Sequence, residues 1–192
     1  MQKKQFKILN SKIDLTKYKF QNNKSNCIYI SAPITTGPNF FEWYLKRGSL
    51  IEDSNEYKNA HYNEVIKPNL DKILKFHKDL SNKFNIPIIE PASFEMPGWD
   101  QHDYLSYWEN VINEYVIKII FMDGWCYSTG CAFEYYIGLI KGIELIDQNQ
   151  IPIDPKWALA HIKQAIADYS KVGINTDLQQ KLVKEIQYEF KK

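Results

Sequence analysis

The chain has 192 residues, a formal net charge of +1, 44% hydrophobic and 24% charged residues. That length holds one domain with a sizeable core and leaves too little for two ordinary ones. The near-neutral charge makes no global demand for nucleic acid, and no apolar window approaches the roughly 18 residues of a membrane span.

The basic start has no apolar stretch behind it, so a soluble, unexported protein is expected. Cys27, Cys126 and Cys131 form no CxxC pair, which implies neither a disulfide framework nor a zinc site and fits a reducing cytoplasm. His61, His77, His102 and His161 are scattered without metal-ligand spacing. Neither a metal nor a cofactor is expected.

Residues 1–25 carry seven lysines against one acid, Asp14. Such a basic, Asn-rich arm is either solvated along the surface or drawn to phosphates. Residues 6–20 alternate loosely, as a short edge strand or a wrapping segment would. Residues 27–31 are a short apolar run, read as the first core strand, and Ala32-Pro33-Ile34-Thr35-Thr36-Gly37-Pro38 breaks it with turn residues. A helix is predicted over residues 39–46, then a polar surface loop over 49–57 that could act as a lid. A helix starting near Pro68, or earlier with a kink there, carries Leu70, Ile73, Leu74, Phe76 and Leu80. Residues 86–90 read as the second core strand, 91–100 as a loop, and 101–115 as a helix with Leu105, Trp108, Val111 and Ile112 on one face.

Residues 116–122 are a continuous apolar run interrupted only by Lys118, the pattern of a strand buried on both faces of a parallel sheet. Asp123 then falls at its carboxyl end. Ser128 or Thr129 can cap a following helix, whose apolar positions include Ala132, Phe133, Tyr136, Ile137 and Ile140. A fourth strand is read at 143–146 and closing helices at 157–169 and 177–190. Alternating strands and helices predict a single α/β, Rossmann-like (flavodoxin-like) domain with a mostly parallel sheet. The expected division is a basic arm over 1–25, the α/β domain over 26–148, and a C-terminal helical extension over 149–192 packed on it. Glu134 lies about one turn inside the helix, where the dipole would hold its carboxylate ionised and aimed at the crevice outside the strand ends. An ionised, positioned carboxylate beside an anion site suits attack on an anomeric carbon.

Two segments carry a family pattern. Tyr29-Ile30-Ser31-Ala32-Pro33-Ile34-Thr35 resembles the first-strand signature of the nucleoside 2-deoxyribosyltransferase-like superfamily. Asp123-Gly124-Trp125, followed by Ser128-Thr129-Gly130-Cys131-Ala132-Phe133-Glu134, resembles its catalytic segment. Glu90-Pro91-Ala92 and residues 99–108 look like the family's middle. The resemblance is closest to a small bacterial and phage branch and covers residues 27–145. It implies cleavage of the bond between a sugar and a base. The Glu matching Glu134 would attack the anomeric carbon, and water or a second base would resolve the glycosyl-enzyme. An Asp at the start of the helix before the central strand assists the departing base, and Asp103 matches it, with Asp100 as rival. A Ser at position 128, where transferases acting on free nucleosides often carry Asp, points to 5′-monophosphates and to hydrolysis over transfer. A hydroxyl with the N–H groups of Thr129 and Gly130 suits a phosphate. Relatives generally assemble as dimers or larger, so a homo-oligomer is expected, with the aromatic run 125–136 and the C-terminal helices as its surface.

The candidate catalytic residues are thus Glu134, Asp103 and Asp123, and the candidate substrate-binding residues Tyr29, Ser31, Pro33, Thr35, Trp99, Trp125, Ser128 and Gly130. Several have bland alternatives. Asp123 could ligate sugar hydroxyls or cap the Gly-Trp turn, and Tyr29 could face the site or the core. Trp99 and Trp125 could stack on a base, or close a loop or a subunit contact. Thr35, Thr36 and Gly37 could bind sugar or phosphate, or serve turn geometry. Cys131 near a helix start would have a lowered pKa, yet no histidine is near in sequence to activate it, so a packing role is favoured. His102 could touch the departing base or sit on the surface. Related readings are release of nicotinamide from NAD, a nucleotide-binding sensor module without turnover, and an interaction domain whose aromatic loops bury a partner.

Overall fold

The computed structural model describes residues 27–191. The basic arm, with the strand or wrapping segment read in it, lies outside the described residues. Strands β1 (Cys27–Ser31), β2 (Ile88–Ile89), β3 (Val116–Phe121) and β4 (Glu144–Asp147) form one sheet in the order β2-β1-β3-β4, every pair parallel. The α/β class and parallel sheet expected from the alternation of elements are therefore present. The chain moves outward from β1 to β2, returns to the other side of β1 for β3, and continues to β4. Its direction reverses between β1 and β3, the place where sheets of this type open a crevice at their carboxyl ends.

Strand side chains alternate between faces. Ile28 and Ile30 join Ile120 and Ile146 on one face, under Ile73 and Leu80. Tyr29 joins Ile119 and Phe121 on the other, under Val111, Ile112, Ala132 and Tyr135. Burial on both faces holds for the carboxyl half of β3 only, since Ile117 is 41% exposed. Lys118, the break in the apolar run, faces Glu144 across the β3–β4 register and forms an ion pair with it at 3.1 Å.

After β1, helix α1 (Pro38–Trp43) continues through a π-helical turn (Tyr44–Gly48) into α2 (Ser49–Ile51). The expected helix is thus longer, and the stretch expected as a free loop over 49–57 starts helical. Arg47 ion-pairs with both Glu56 and Glu64, and the Tyr44 hydroxyl donates to Glu52 at 2.7 Å. These bonds tie the segment down. A second helical run comprises α3 (Tyr57–His61), a π-helical turn (Tyr62–Ile66) and α4 (Lys67–Lys83). The wider turn sits just before Pro68, which has no N–H to donate and whose ring crowds the preceding turn.

Helix α5 (Gln101–Tyr115) has the bounds its periodicity predicts, α6 (Thr129–Lys141) follows β3, and α7 (Pro155–Lys171) and α8 (Asp177–Glu189) close the chain. Asp100, Ser128 and Asp154 each cap a helix through a side-chain oxygen. Ala158 and Ile162 of α7 and Leu182, Val183 and Ile186 of α8 share one core with α6. Gln179, 1% exposed, donates to the Cys126 carbonyl at 3.3 Å. The C-terminal helices therefore cover, within the chain itself, part of the aromatic run read as an oligomer surface. No described helix is long and apolar enough to cross a membrane.

The loops after β1 and β3 meet tightly. Gly124 has φ +79°, and a Cβ there would overlap the Pro38 ring. Both the left-handed backbone and the close approach call for glycine. Gly124→Ala is expected to cost about 2 kcal/mol of unfolding free energy, read by denaturant melts.

Candidate active site

Helix α6 starts at the carboxyl end of β3 because Ser128, in extended backbone, accepts the Cys131 N–H on its Oγ at 3.3 Å. Glu134 follows on the face of α6 that lies over β1. Strand alternation brings Tyr29 and Ser31 to that same face, two residues apart. The Tyr29 hydroxyl donates to Glu134 Oε1 at 2.6 Å, and the Ser31 hydroxyl donates to Oε2 at 2.6 Å. Each carboxylate oxygen has its own donor, so the group cannot rotate without losing both.

Glu134 is 8% exposed yet lines a cavity of about 780 Å³. Ala32, Ile34, Thr35 and Thr36 from the β1 loop, Tyr62, Ile66 and Leu70 from the second helical run, and Phe94 and Glu95 from the loop after β2 form three sides. Gln101, Tyr104, Leu105 and Trp108 of α5 and Ser128, Thr129, Gly130 and Phe133 form the rest. A size of this order and a mostly apolar lining with few polar groups are typical of small-molecule sites.

Burial pushes the pKa of Glu134 from the ordinary 4.5 up to about 7, against the Ser31 and Tyr29 hydrogen bonds, which pull it down. The expected fully ionised carboxylate is thus corrected to one that titrates near neutrality. The Tyr29 hydroxyl is raised well above its usual range, first by burial and then by the neighbouring Glu134 charge. Burial also pushes the Cys131 thiol up, reversing the lowering expected from the helix start. Cys131 is only 3% exposed, so desolvation of the thiolate outweighs the dipole.

The β1 loop is held from behind. Asn69, 6% exposed, donates to the carbonyls of Ile34 at 2.9 Å and Thr36 at 3.3 Å, and accepts from Asn39 at 2.8 Å. His61 lies 2.8 Å from the Thr35 carbonyl through Nε2, and its ring stacks on Trp43. These bonds set where Thr35 and Thr36 face the cavity.

Of the residues singled out from sequence, Glu134, Thr35, Ser128 and Gly130 line this cavity, with Tyr29 and Ser31 holding Glu134 from beneath. The others go elsewhere. Asp103 is engaged with Asp100 in a reciprocal cap, at 3.0 Å and 3.2 Å, and does not line the cavity. Asp123 and Pro33 line a neighbouring cavity instead. Trp125, 3% exposed, stacks on Tyr135 inside the core formed with α6 and the C-terminal helices. Trp99 packs edge-on against Phe94, Tyr104 and Tyr107. His102 is on the exposed face of α5.

Glu95, Gln101 and Tyr104 are cavity residues that sequence reasoning passed over. Tyr104 is built in, its hydroxyl accepting the Met96 N–H at 2.9 Å. The available signal was the helical spacing of Gln101, Tyr104, Leu105 and Trp108, which places all four on one face of α5. Among the described residues no group of three or more His, Cys, Asp or Glu could hold a metal ion. In comparisons with protein-family models, curated proteins and solved structures, nothing matches this chain.

A raised folded-state pKa means the folded protein keeps the Glu134 proton when the unfolded chain has released it. This group's contribution to stability is therefore present below about pH 4.5 and lost as pH rises through about 7, a change of roughly 3 kcal/mol. Urea melts of the wild type and Glu134→Gln across that range should show the wild type losing stability relative to the variant. Tyr29→Phe, which removes one donor to the anion, should move the Glu134 titration further up when followed by carboxyl-carbon NMR.

Proposed function

We propose that the chain is an N-glycosidase that cleaves the sugar–base bond of a nucleoside or nucleotide through a covalent glycosyl-Glu134 intermediate. The observation that carries this reading is the Glu134 carboxylate, buried, held at both oxygens by Tyr29 and Ser31, and facing a cavity of nucleoside size.

In the first step Glu134 forms a bond to C1′ while the bond from C1′ to the base nitrogen breaks, its electron pair leaving with the base. The base leaves more easily with a hydrogen bond or proton supplied to it. Glu95 is the other carboxylate lining the cavity, and it takes the acid role that sequence reasoning gave to Asp103, with Asp100 as rival. Water then attacks C1′ as the bond from C1′ to Glu134 breaks, its proton going to the Glu95 carboxylate left by the first step, and the sugar and the Glu134 carboxylate are released. A second base in place of water gives deoxyribosyl transfer by the same intermediate. Phe94, Tyr104, Trp108 and Phe133 provide flat apolar surface for the base. The Thr129 and Gly130 N–H groups, at the start of α6 and without intrahelical acceptors, suit a 5′-phosphate, as does the Ser128 hydroxyl proton. Assembly into a homodimer or larger belongs to the same reading and is tested by sedimentation.

Free-base release from 2′-deoxynucleosides and their 5′-monophosphates, followed by chromatography, tests the assignment. Glu134→Ala should lose at least about a thousandfold in kcat/KM, Glu95→Gln about a hundredfold, and the monophosphate should be preferred. The nucleophile must be ionised, so kcat/KM should fall about tenfold per pH unit below pH 7. Undiminished release from Glu134→Ala would remove it from the mechanism. Tight binding with no release would identify a nucleotide-binding module, and release of nicotinamide from NAD would move the substrate class within the same chemistry.

A further inference from the structure

Beside the Glu134 cavity lies a second one of about 530 Å³, at the carboxyl ends of β1 and β3 where the strand order reverses. Ala32 and Thr36 border both cavities, so the β1 loop is the wall between them. Lys72 and Lys75 of α4 line one side. Neither has a carboxylate within ion-pair distance among the described residues, whereas Lys67 on the same helix is paired with Asp71.

The opposite side is built from the loops after β3 and β4. Gln148 donates its Nε2 to Asp123 Oδ2 at 2.5 Å and accepts the Asp123 N–H on its Oε1 at 3.2 Å. This reciprocal pair fixes the Asp123 carboxylate and leaves Oδ1, with one N–H of Gln148, available. Asp79, one turn beyond Lys75, also lines the cavity. Its charged side chains are thus Lys72 and Lys75 against Asp79 and Asp123. A bare anion would meet two carboxylates there. A ligand carrying hydroxyl donors as well as an anion satisfies both halves.

We propose that this second cavity is a binding site for a sugar phosphate, its phosphate on Lys72 and Lys75 and its hydroxyls on Asp123 Oδ1 and the Gln148 amide. The site is independent of the chemistry assigned to Glu134.

Isothermal titration with ribose 5-phosphate tests it, because that probe has no N-glycosidic bond and cannot be turned over by the proposed reaction. Ribose and inorganic phosphate are the comparison probes. The wild type should bind ribose 5-phosphate more tightly than either. The Lys72→Ala/Lys75→Ala double variant and Asp123→Ala should each weaken it at least about tenfold. Lys163→Ala/Lys184→Ala, which removes the same charge from exposed positions of α7 and α8, should leave it unchanged. All substituted side chains are exposed or on a loop, and melts of each variant confirm that it folds. The proposal is overturned if ribose 5-phosphate binds every variant equally, which would send it to the Glu134 cavity or elsewhere. It is likewise overturned if inorganic phosphate binds as tightly as the sugar phosphate, or if the wild type shows no binding at about 10 mM probe.

Discussion

Glu134 sits under a helix, over a strand and away from bulk water, and it stays there because two hydroxyls of β1 meet its two oxygens. Moving an unpaired carboxylate into such surroundings costs several kcal/mol. A hydrogen bond to a charged group returns about 1.5–3 kcal/mol, so Tyr29 and Ser31 offset much of that cost without cancelling it. The residue is visible in the rise of the pKa to about 7. The balance leaves a carboxyl group that is held in one orientation and that changes charge at neutral pH, a combination suited to a nucleophile or a general base.

That interaction constrains the rest of the fold. Tyr29 and Ser31 share a face only because β1 is extended and central, paired with β2 on one side and β3 on the other. The register places Tyr29 beside Ile119 and Ser31 beside Phe121, so the chain leaving β3 emerges next to the site and starts α6 within reach. Ser128 sets the first turn of that helix. The C-terminal helices share a core with α6 through Ala158, Ile162, Leu182 and Ile186, which restrains the helix that carries Glu134.

The β1 loop divides the carboxyl edge of the sheet into two chambers with different chemistry. On one side the lining is aromatic and carries Glu134; on the other it carries two lysines and a clamped aspartate. Asn69 and His61 hold the loop through its own carbonyls, and the tight approach of Gly124 to Pro38 closes it against the loop after β3. Residues adjacent in sequence can therefore serve different cavities. Pro33 lies in one and Ile34 in the other, and Asp123 is separated from the cavity that Ser128 borders.

Local pattern was enough for the α/β class, the positions of the strands, the bounds of α5, a helix cap at Ser128 or Thr129 and the candidacy of Glu134. Each depends on residues within a few positions of one another: an apolar run, a capping oxygen, a helical repeat. The fate of Trp125 was not local. Its ring is taken into the core by Tyr135 and the layer that α7 and α8 complete, residues more than thirty positions further on in the case of the last two helices. Asp103 matches the acid only through the family resemblance, and the structure engages it with Asp100, three residues back, in the reciprocal cap of α5. Glu95 and Gln101 stand out only once the loop after β2 and α5 are packed across from α6. By itself the sequence determined the alternation of the four strands with the helices that follow them and the presence of Glu134 in the helix after β3. The tertiary structure decided which side chains share a cavity and how Glu134 titrates, because burial and hydrogen bonding depend on groups brought together from more than 100 residues apart, as Ser31 and Tyr29 are from Glu134.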